Sequence, residues 1–233
     1  MKIARILKDI STIADKNEKS APLLVGGAVR DLLLNKKPND FDITTGDNDC
    51  LELADLFAKE KHIPLRISNS GAKQATYNGV DLDFSPHIIY MDTDSPLISE
   101  VFSRDYTINS MMIDMSNGDF IDLCGGLEDL KSNKLRCAIS PEITFKNPAN
   151  AIRSLKHIAA GFNPTKKTEE GIIENIHKWS DIPEKQARKI LNSAIRENPE
   201  IVLWLKNRNL LDKLPITELL IDTLKYFRLL KHV

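Results

Sequence analysis

Residues 23–45 read LLVGGAVRDLLLNKKPNDFDITT, and this stretch fixes how the rest of the chain is read. An apolar run, Leu23 to Val25, reaches the pair Gly26-Gly27. A helical turn carrying Arg30 and Asp31 follows, then the alternating segment Asp40-Phe41-Asp42-Ile43-Thr44. Residues two apart on a strand point to one face, so Asp40 and Asp42 are expected to present two carboxylates to one point. Hard cations such as Mg2+ take such oxygen ligands together with substrate phosphates. The glycines allow close backbone approach, and the start of the following turn offers unpaired N–H groups to an anion. A phosphate cradle beside a metal site points to metal-assisted chemistry on a nucleotide.

A second acidic strand lies further on. Residues 76–84 read as a hairpin around Asn78-Gly79, a favoured tight-turn dipeptide. Val80, Leu82 and Phe84 alternate with Asp81 and Asp83, which share the other face. Two-metal phosphoryl transfer holds two cations about 4 Å apart, and a third carboxylate completes the ligand set. Both Asp81 and Asp83 are candidates for it.

The 23–45 stretch resembles the signature of the class II tRNA nucleotidyltransferase (CCA-adding enzyme) and bacterial poly(A) polymerase family: G-G-x-V-R-D, a short linker, then D-x-D-x-x-T. Gly26, Gly27, Val29, Arg30, Asp31, Asp40, Asp42 and Thr45 match it in one register. The family's glycine spacing, met by Gly71 and Gly79, favours Asp83 as the third carboxylate, with Asp81 as the alternative. Ser103-Arg104-Asp105-Tyr106-Thr107-Ile108-Asn109 resembles a second motif, R-R-D-[FY]-T-[IM]-N. The resemblance implies that Arg104 contacts triphosphate, that Asn109 contacts the nucleotide and that Asp105 orients its neighbours. Ser103 replaces the first arginine, so one cation is missing. Ile121-Asp122-x-x-Gly125-Gly126 resembles a family turn that reads as structural.

The resemblance weakens beyond residue 145. A family helix opening with E-D-P-x-R reads the edge of the incoming C or A. The matching positions here are Lys146, Asn147 and Asn150, with Pro148 and Arg153 retained. Asparagine can still pair with a base, having one acceptor and two donors, but it lacks the arginine fork. Asn147, Asn150 and Arg153 are therefore carried as candidate nucleotide-binding residues. Glu184 to Ile190 is a similarly altered family helix. The segment between Asp83 and Arg104 is short for the family, with Asp92 to Pro96 as a tight remnant of its flexible loop. Typical bacterial members continue past residue 233 into helices that grip the tRNA elbow, so a compact member is expected.

The chain has 233 residues, 42% hydrophobic and 28% charged, with a net charge of −1. That composition fits a globular protein with one large or two small domains. Residues 151–233 carry 15 Lys+Arg against 10 Asp+Glu of the chain's 32 and 33, a net +5 that leaves −6 on the remainder. An acidic metal-holding part with a mildly basic part suits an enzyme acting on RNA. Three cysteines without a C-x-x-C pair suggest reduced thiols and a cytoplasmic setting. No membrane-spanning run and no signal-peptide core are read.

The expected fold is α+β: a polymerase-β-like nucleotidyltransferase head with a small mixed sheet over 1–140, then an all-helical neck and body over 141–233. Helices are expected at 3–16, 29–34 and 51–60, then at 148–160, 168–179, 183–197, 199–211 and 215–231. Strand signals nearly vanish after Pro141. Trp179 and Trp204 read as core residues of apolar helical faces. The leading functional expectation is a template-independent RNA nucleotidyltransferase with a two-Mg2+ site on Asp40, Asp42 and Asp83. Gly26, Gly27, Arg30, Arg104 and Asn109 would hold CTP or ATP, and a tRNA 3′ end would be the acceptor. Oligo(A) tailing, and a catalytically weakened RNA- or nucleotide-binding derivative, are the alternatives.

Overall fold

The structure is a computed structural model that describes residues 2–68, 70–86 and 95–229. The chain divides into two compact units, Met1–Leu130 and Lys131–Val233.

The first unit runs α1 (Lys2–Lys16), β1 (Leu23–Val25), α2 (Gly27–Leu33), β2 (Asp40–Thr44), α3 (Asp49–Lys61), β3 (Arg66–Ile67), β4 (Lys73–Tyr77) and β5 (Val80–Phe84). It continues with α4 (Pro96–Phe102), a 3-10 turn over Thr107–Asn109, β6 (Met112–Asp114), β7 (Phe120–Ile121) and α5 (Gly126–Lys131). The seven strands form one sheet in the order β3-β4-β5-β2-β1-β6-β7. Only the β2–β5 pairing is parallel, so the sheet is mixed, as the sequence leads one to expect.

Alternation gives this sheet two unlike faces. Phe41 and Ile43 of β2, Leu82 and Phe84 of β5 and Leu24 of β1 are all buried on one face. Helix α3 lies against β4 and β5, where the rings of Phe57 and Phe84 sit 5.9 Å apart. Helix α1 packs on α3 and turns Ile6, Ile10, Ile13 and Ala14 inward at helical spacing. The opposite face carries Asp40, Asp42, Asp81 and Asp83 in its middle. Towards β1 and β6 it becomes apolar, where Leu23, Val25 and Met112 pack with Val101 of α4. The β4–β5 hairpin turns through Asn78 (φ 52°) and Gly79 (φ 70°). Two successive positive φ values are what a two-residue turn between twisted strands requires.

The second unit contains β8 (Lys134–Leu135), α6 (Pro141–Thr144), α7 (Pro148–Ala159), β9 (Asn163–Pro164), α8 (Lys166–Asn175) and a 3-10 segment over Ile176–Asp181. Helices α9 (Glu184–Glu197), α10 (Ile201–Lys206) and α11 (Glu218–Tyr226) follow, with a 3-10 turn at Leu211–Lys213 between the last two. The units part ten residues before the expected 140/141 boundary. Residues 131–140 join the second unit because β8 pairs in parallel with β9 and Cys137 N donates to Thr168 Oγ1 at 3.2 Å. A two-residue ladder leaves no alternation to read, so residues 134–135 and 163–164 carry no strand signal. The two tryptophans are half-buried rather than core. Trp179 Nε1 donates to Lys213 O at 2.7 Å, and Trp204 lies 4.0 Å beneath the Arg208 guanidinium. Among the described residues no helix is long and apolar enough to cross a membrane.

Candidate active site

Strand register builds the acidic centre. Asp40 pairs with Asp81 and Asp42 with Asp83 across β2 and β5. Paired residues on neighbouring strands point to the same face, so Asp42 and Asp83 stand side by side. Asp83 Oδ1 is buried and has no hydrogen-bond partner. Buried polar atoms are nearly always satisfied, so an orphaned carboxylate oxygen marks a place where a ligand is missing. Asp81 is more exposed, and its carboxylate accepts from Thr76 Oγ1 at 2.7 Å.

Electrostatics agree with the geometry. Burial pushes the Asp42 carboxyl up to about 6. The Arg104 guanidinium opposes that shift, while Asp40, Asp83 and Glu100 reinforce it. Asp83 is also raised, chiefly by burial. A hydrogen bond from Gln74, its register partner on β4, works against the shift, and Asp40 and Asp81 add to it. The Asp42 and Asp83 carboxylates are both disfavoured as anions, and a cation would relieve the two at once. Among the described residues no three His, Cys, Asp or Glu side chains form a ready-made metal cage. The carboxylates line a face instead. Their oxygen chemistry, their mutual repulsion and the orphaned Asp83 Oδ1 fit a hard divalent cation. Beside them a cleft of about 290 Å3 runs from Asp40 and Asp83 to Gln74 and Arg66.

The glycine pair closes the other side. Gly26 has φ +73°, and a Cβ there would stand 2.7 Å from Asp42 Oδ2 and 3.7 Å from Arg104 Nη1. Only glycine lets the chain enter α2 this close to the carboxylate. Arg30, on α2, is held on two sides. Its Nε and Nη2 donate to Asp31 Oδ1 at 3.0 and 2.8 Å, and its Nη1 donates to Asn109 Oδ1 at 2.7 Å. Asn109 Nδ2 in turn donates to Asp105 Oδ1 at 2.9 Å, and Tyr106 N reaches the same oxygen at 2.8 Å. Asp105 thus orients its neighbours. Gly26, Gly27, Arg30, Asp40, Asp42, Asp83, Arg104 and Asn109 all lie in the first unit. Asp122 accepts from the backbone of Gly126 and Leu127 at 2.8 and 2.9 Å, and a Cβ on Gly126 would meet Thr107 O at 2.2 Å. That turn is structural.

Asn147, Asn150 and Arg153 lie in the second unit. Asn147 caps α7, its Oδ1 accepting from Ala149 N at 3.0 Å. Asn150 is buried and donates to Thr144 O at 2.9 Å. Arg153 is exposed. The two asparagines are engaged in holding the start of α7. Capping propensity at Asn-Pro is the sequence signal for that role. Residues 87–94, which include most of the expected loop remnant, lie outside the described residues.

Two residues of the site went unsingled by sequence reasoning. Gln74 touches Asp83 because of the β4–β5 register, and Glu100 touches Arg104 at i,i+4. The helical spacing of the second pair was available as a signal.

Residues 23–136 match the family model of the Poly A polymerase head domain. This part of the chain belongs to that family. Members of the family are metal-dependent nucleotidyltransferases. The CCA-adding enzyme of Lactobacillus helveticus is 34% identical over 166 residues, 65% of this chain and 40% of that protein. Poly(A) polymerase I of Escherichia coli is 27% identical over 186 residues, 69% of this chain and 38% of that one. A solved tRNA-processing enzyme in its apo form superposes with a TM-score of 0.79 at 25% identity, covering 98% of this chain and 63% of the other. The chain therefore spans about two fifths of the length of the two relatives. The head domain accounts for the sheet, the glycine pair and every carboxylate of the acidic face.

Proposed function

We propose that this protein is a template-independent RNA nucleotidyltransferase. It adds a nucleoside monophosphate from an NTP to an RNA 3′-hydroxyl and releases pyrophosphate. The observation that carries the reading is the side-by-side pair Asp42 and Asp83, with its orphaned oxygen, facing the Gly26 backbone and Arg104. We assign Mg2+ to Asp40, Asp42 and Asp83, where it would supply activation of the hydroxyl and neutralisation of the leaving pyrophosphate. Gly26 and Gly27 leave room for the triphosphate at the backbone, and Arg30 and Arg104 supply its cations. Asn109, held by Asp105 and Arg30, presents an amide to the nucleotide. The 3′-oxygen attacks the α-phosphorus, the bond to pyrophosphate breaks, and the hydroxyl proton passes to solvent. The named residues align these groups, and alignment is the largest part of what phosphoryl transfer asks of a protein.

For the acceptor we propose a tRNA 3′ end, with CTP and ATP as donors, in line with the named activity of the Lactobacillus helveticus relative. Oligo(A) tailing is favoured by a different observation. Asn147 and Asn150 are spent on the start of α7, which leaves less side-chain chemistry to choose between bases. The catalytically weakened binding derivative is disfavoured, because an acidic face with raised carboxyls costs stability and gives a non-catalytic fold nothing in return. The test is single-NTP extension of a tRNA transcript lacking its 3′ CCA, with Mg2+, beside Asp42→Asn. Ordered C then A addition supports tRNA synthesis. Repeated A addition supports tailing. No extension of any RNA removes the transferase reading.

A further inference from the structure

We infer that Glu100 is the positioning residue for the triphosphate-binding arginine Arg104. Glu100 is buried on α4, with a side-chain exposure of only 5%. Its Oε1 accepts from Arg104 Nη2, and its Oε2 accepts from Thr44 Oγ1 at 3.4 Å. Thr44 belongs to β2, two residues beyond Asp42 on the same face. One buried carboxylate therefore ties Arg104 to the strand that carries Asp40 and Asp42. Helix α4 is itself pinned, since Val101 packs among Leu23, Val25 and Met112.

The brace matters because this chain has few cations to spare. Ser103 stands where the second motif has its first arginine, and its hydroxyl is turned back onto Glu100 O at 2.7 Å. Arg104 Nε is buried without a partner, so the guanidinium is not fixed from that side. Its hold comes from Glu100, while the neighbouring Nη1 points towards the space above Gly26. Arg30 is built the same way, with Asp31 gripping Nε and Nη2 and leaving Nη1 to Asn109. Each arginine is thus held by its own carboxylate. A guanidinium fixed in advance loses less freedom on binding than a free one.

This inference rests on the nucleotide-transfer reading, and the experiment separates the two. Binding of ATP and of inorganic tripolyphosphate, each with Mg2+, is measured by calorimetry for the wild type, Glu100→Ala, Glu100→Gln, Arg104→Ala and the double variant Glu100→Ala/Arg104→Ala. Thermal melts verify folding. Glu100→Ala should weaken both ligands about tenfold, the scale of one charge-assisted hydrogen bond. Glu100→Gln, which keeps an acceptor, should recover most of that loss. In the Arg104→Ala background, Glu100→Ala should add nothing, because Glu100 acts through Arg104. In extension assays KM for the NTP should rise while KM for the RNA stays constant. Additive losses in the double variant, or equal binding by Glu100→Ala and the wild type, would overturn the inference. Should Glu100→Ala not fold, Glu100→Gln carries the test: a loss of about threefold that disappears with Arg104→Ala supports it, and wild-type binding overturns it. If the wild type binds neither ligand, the transferase reading falls with it.

Discussion

The β2–β5 strand pair and the start of α7 both place short polar side chains at low exposure, and they treat them in opposite ways. At α7, Asn147 caps the helix and buried Asn150 closes onto Thr144 O. At β2–β5, Asp42 and Asp83 are desolvated, repel one another, and leave an oxygen without a partner. A satisfied polar group stabilises the fold by about 1 kcal/mol and asks for nothing more. An unsatisfied, like-charged pair costs stability and persists only where binding returns it. The contrast separates the residues that hold the protein together from those that await a ligand.

Asp42→Asn cuts deepest into that contrast. Extension activity should fall by about a thousandfold or more, as expected for loss of a metal-holding carboxylate. Stability should move the other way. The folded Asp42 carboxyl sits near 6, above its ordinary 3.8, so folding is penalised once the unfolded chain has lost the proton and the folded one retains it. The penalty is absent below about 3.8 and grows as pH rises to about 6, reaching about 3 kcal/mol. Denaturant melts should therefore show Asp42→Asn more stable than wild type at pH 7, with the gain fading by pH 4. An equal gain at both pH values would show that the desolvated charge is not its source. Mg2+ should raise the wild-type melting temperature and leave that of Asp42→Asn unmoved.

Gly26→Ala is the next largest. The added Cβ meets Asp42 Oδ2 at 2.7 Å in a positive-φ backbone. Activity should drop about a hundredfold, since small misplacement of aligned groups is costly. Stability should fall by about 1–2 kcal/mol, read by thermal melting. Unchanged extension kinetics would remove the glycine pair from the site.

At α7 the expected effects fall on stability. Asn150→Ala removes the buried hydrogen bond from its Nδ2 to Thr144 O and should cost about 1–3 kcal/mol. Asn147→Ala removes a helix cap and should cost about 1 kcal/mol. Neither should alter the ratio of CTP to ATP incorporation in the extension assay. A changed ratio would break the comparison and return these residues to base reading. The smallest effect is chemical. Burial pushes the Cys50 thiol up to about 12, so thiol reagents at pH 8 should leave it unmodified in the folded protein, by mass spectrometry.

Much of the acidic face was legible because strand alternation and a favoured turn dipeptide are local signals. Asp40 and Asp42 declare a shared face by spacing alone, and Asn78-Gly79 fixes where β5 begins. The glycine pair was legible for the same reason. Gln74 and Glu100 were not singled out, because their roles come from contacts that exist only after folding: the β4–β5 register and the packing of α4. Asn147 and Asn150 read as base contacts when seen as replacements in a motif. Their engagement at α7 depends on where the backbone of α6 ends. The β8–β9 ladder escaped because two residues carry no period, and that moved the boundary between units.

The parallel register of β2 and β5 has one further consequence. Sliding either strand by a single residue would turn Phe41 or Leu82 to water and drive an aspartate against Phe57. The hydrophobic alternation that seals the far side of the sheet is thus also a ruler, setting Asp42 opposite Asp83 to within one residue. Mistakes in spacing are rejected as misfolding before they can become a misassembled site.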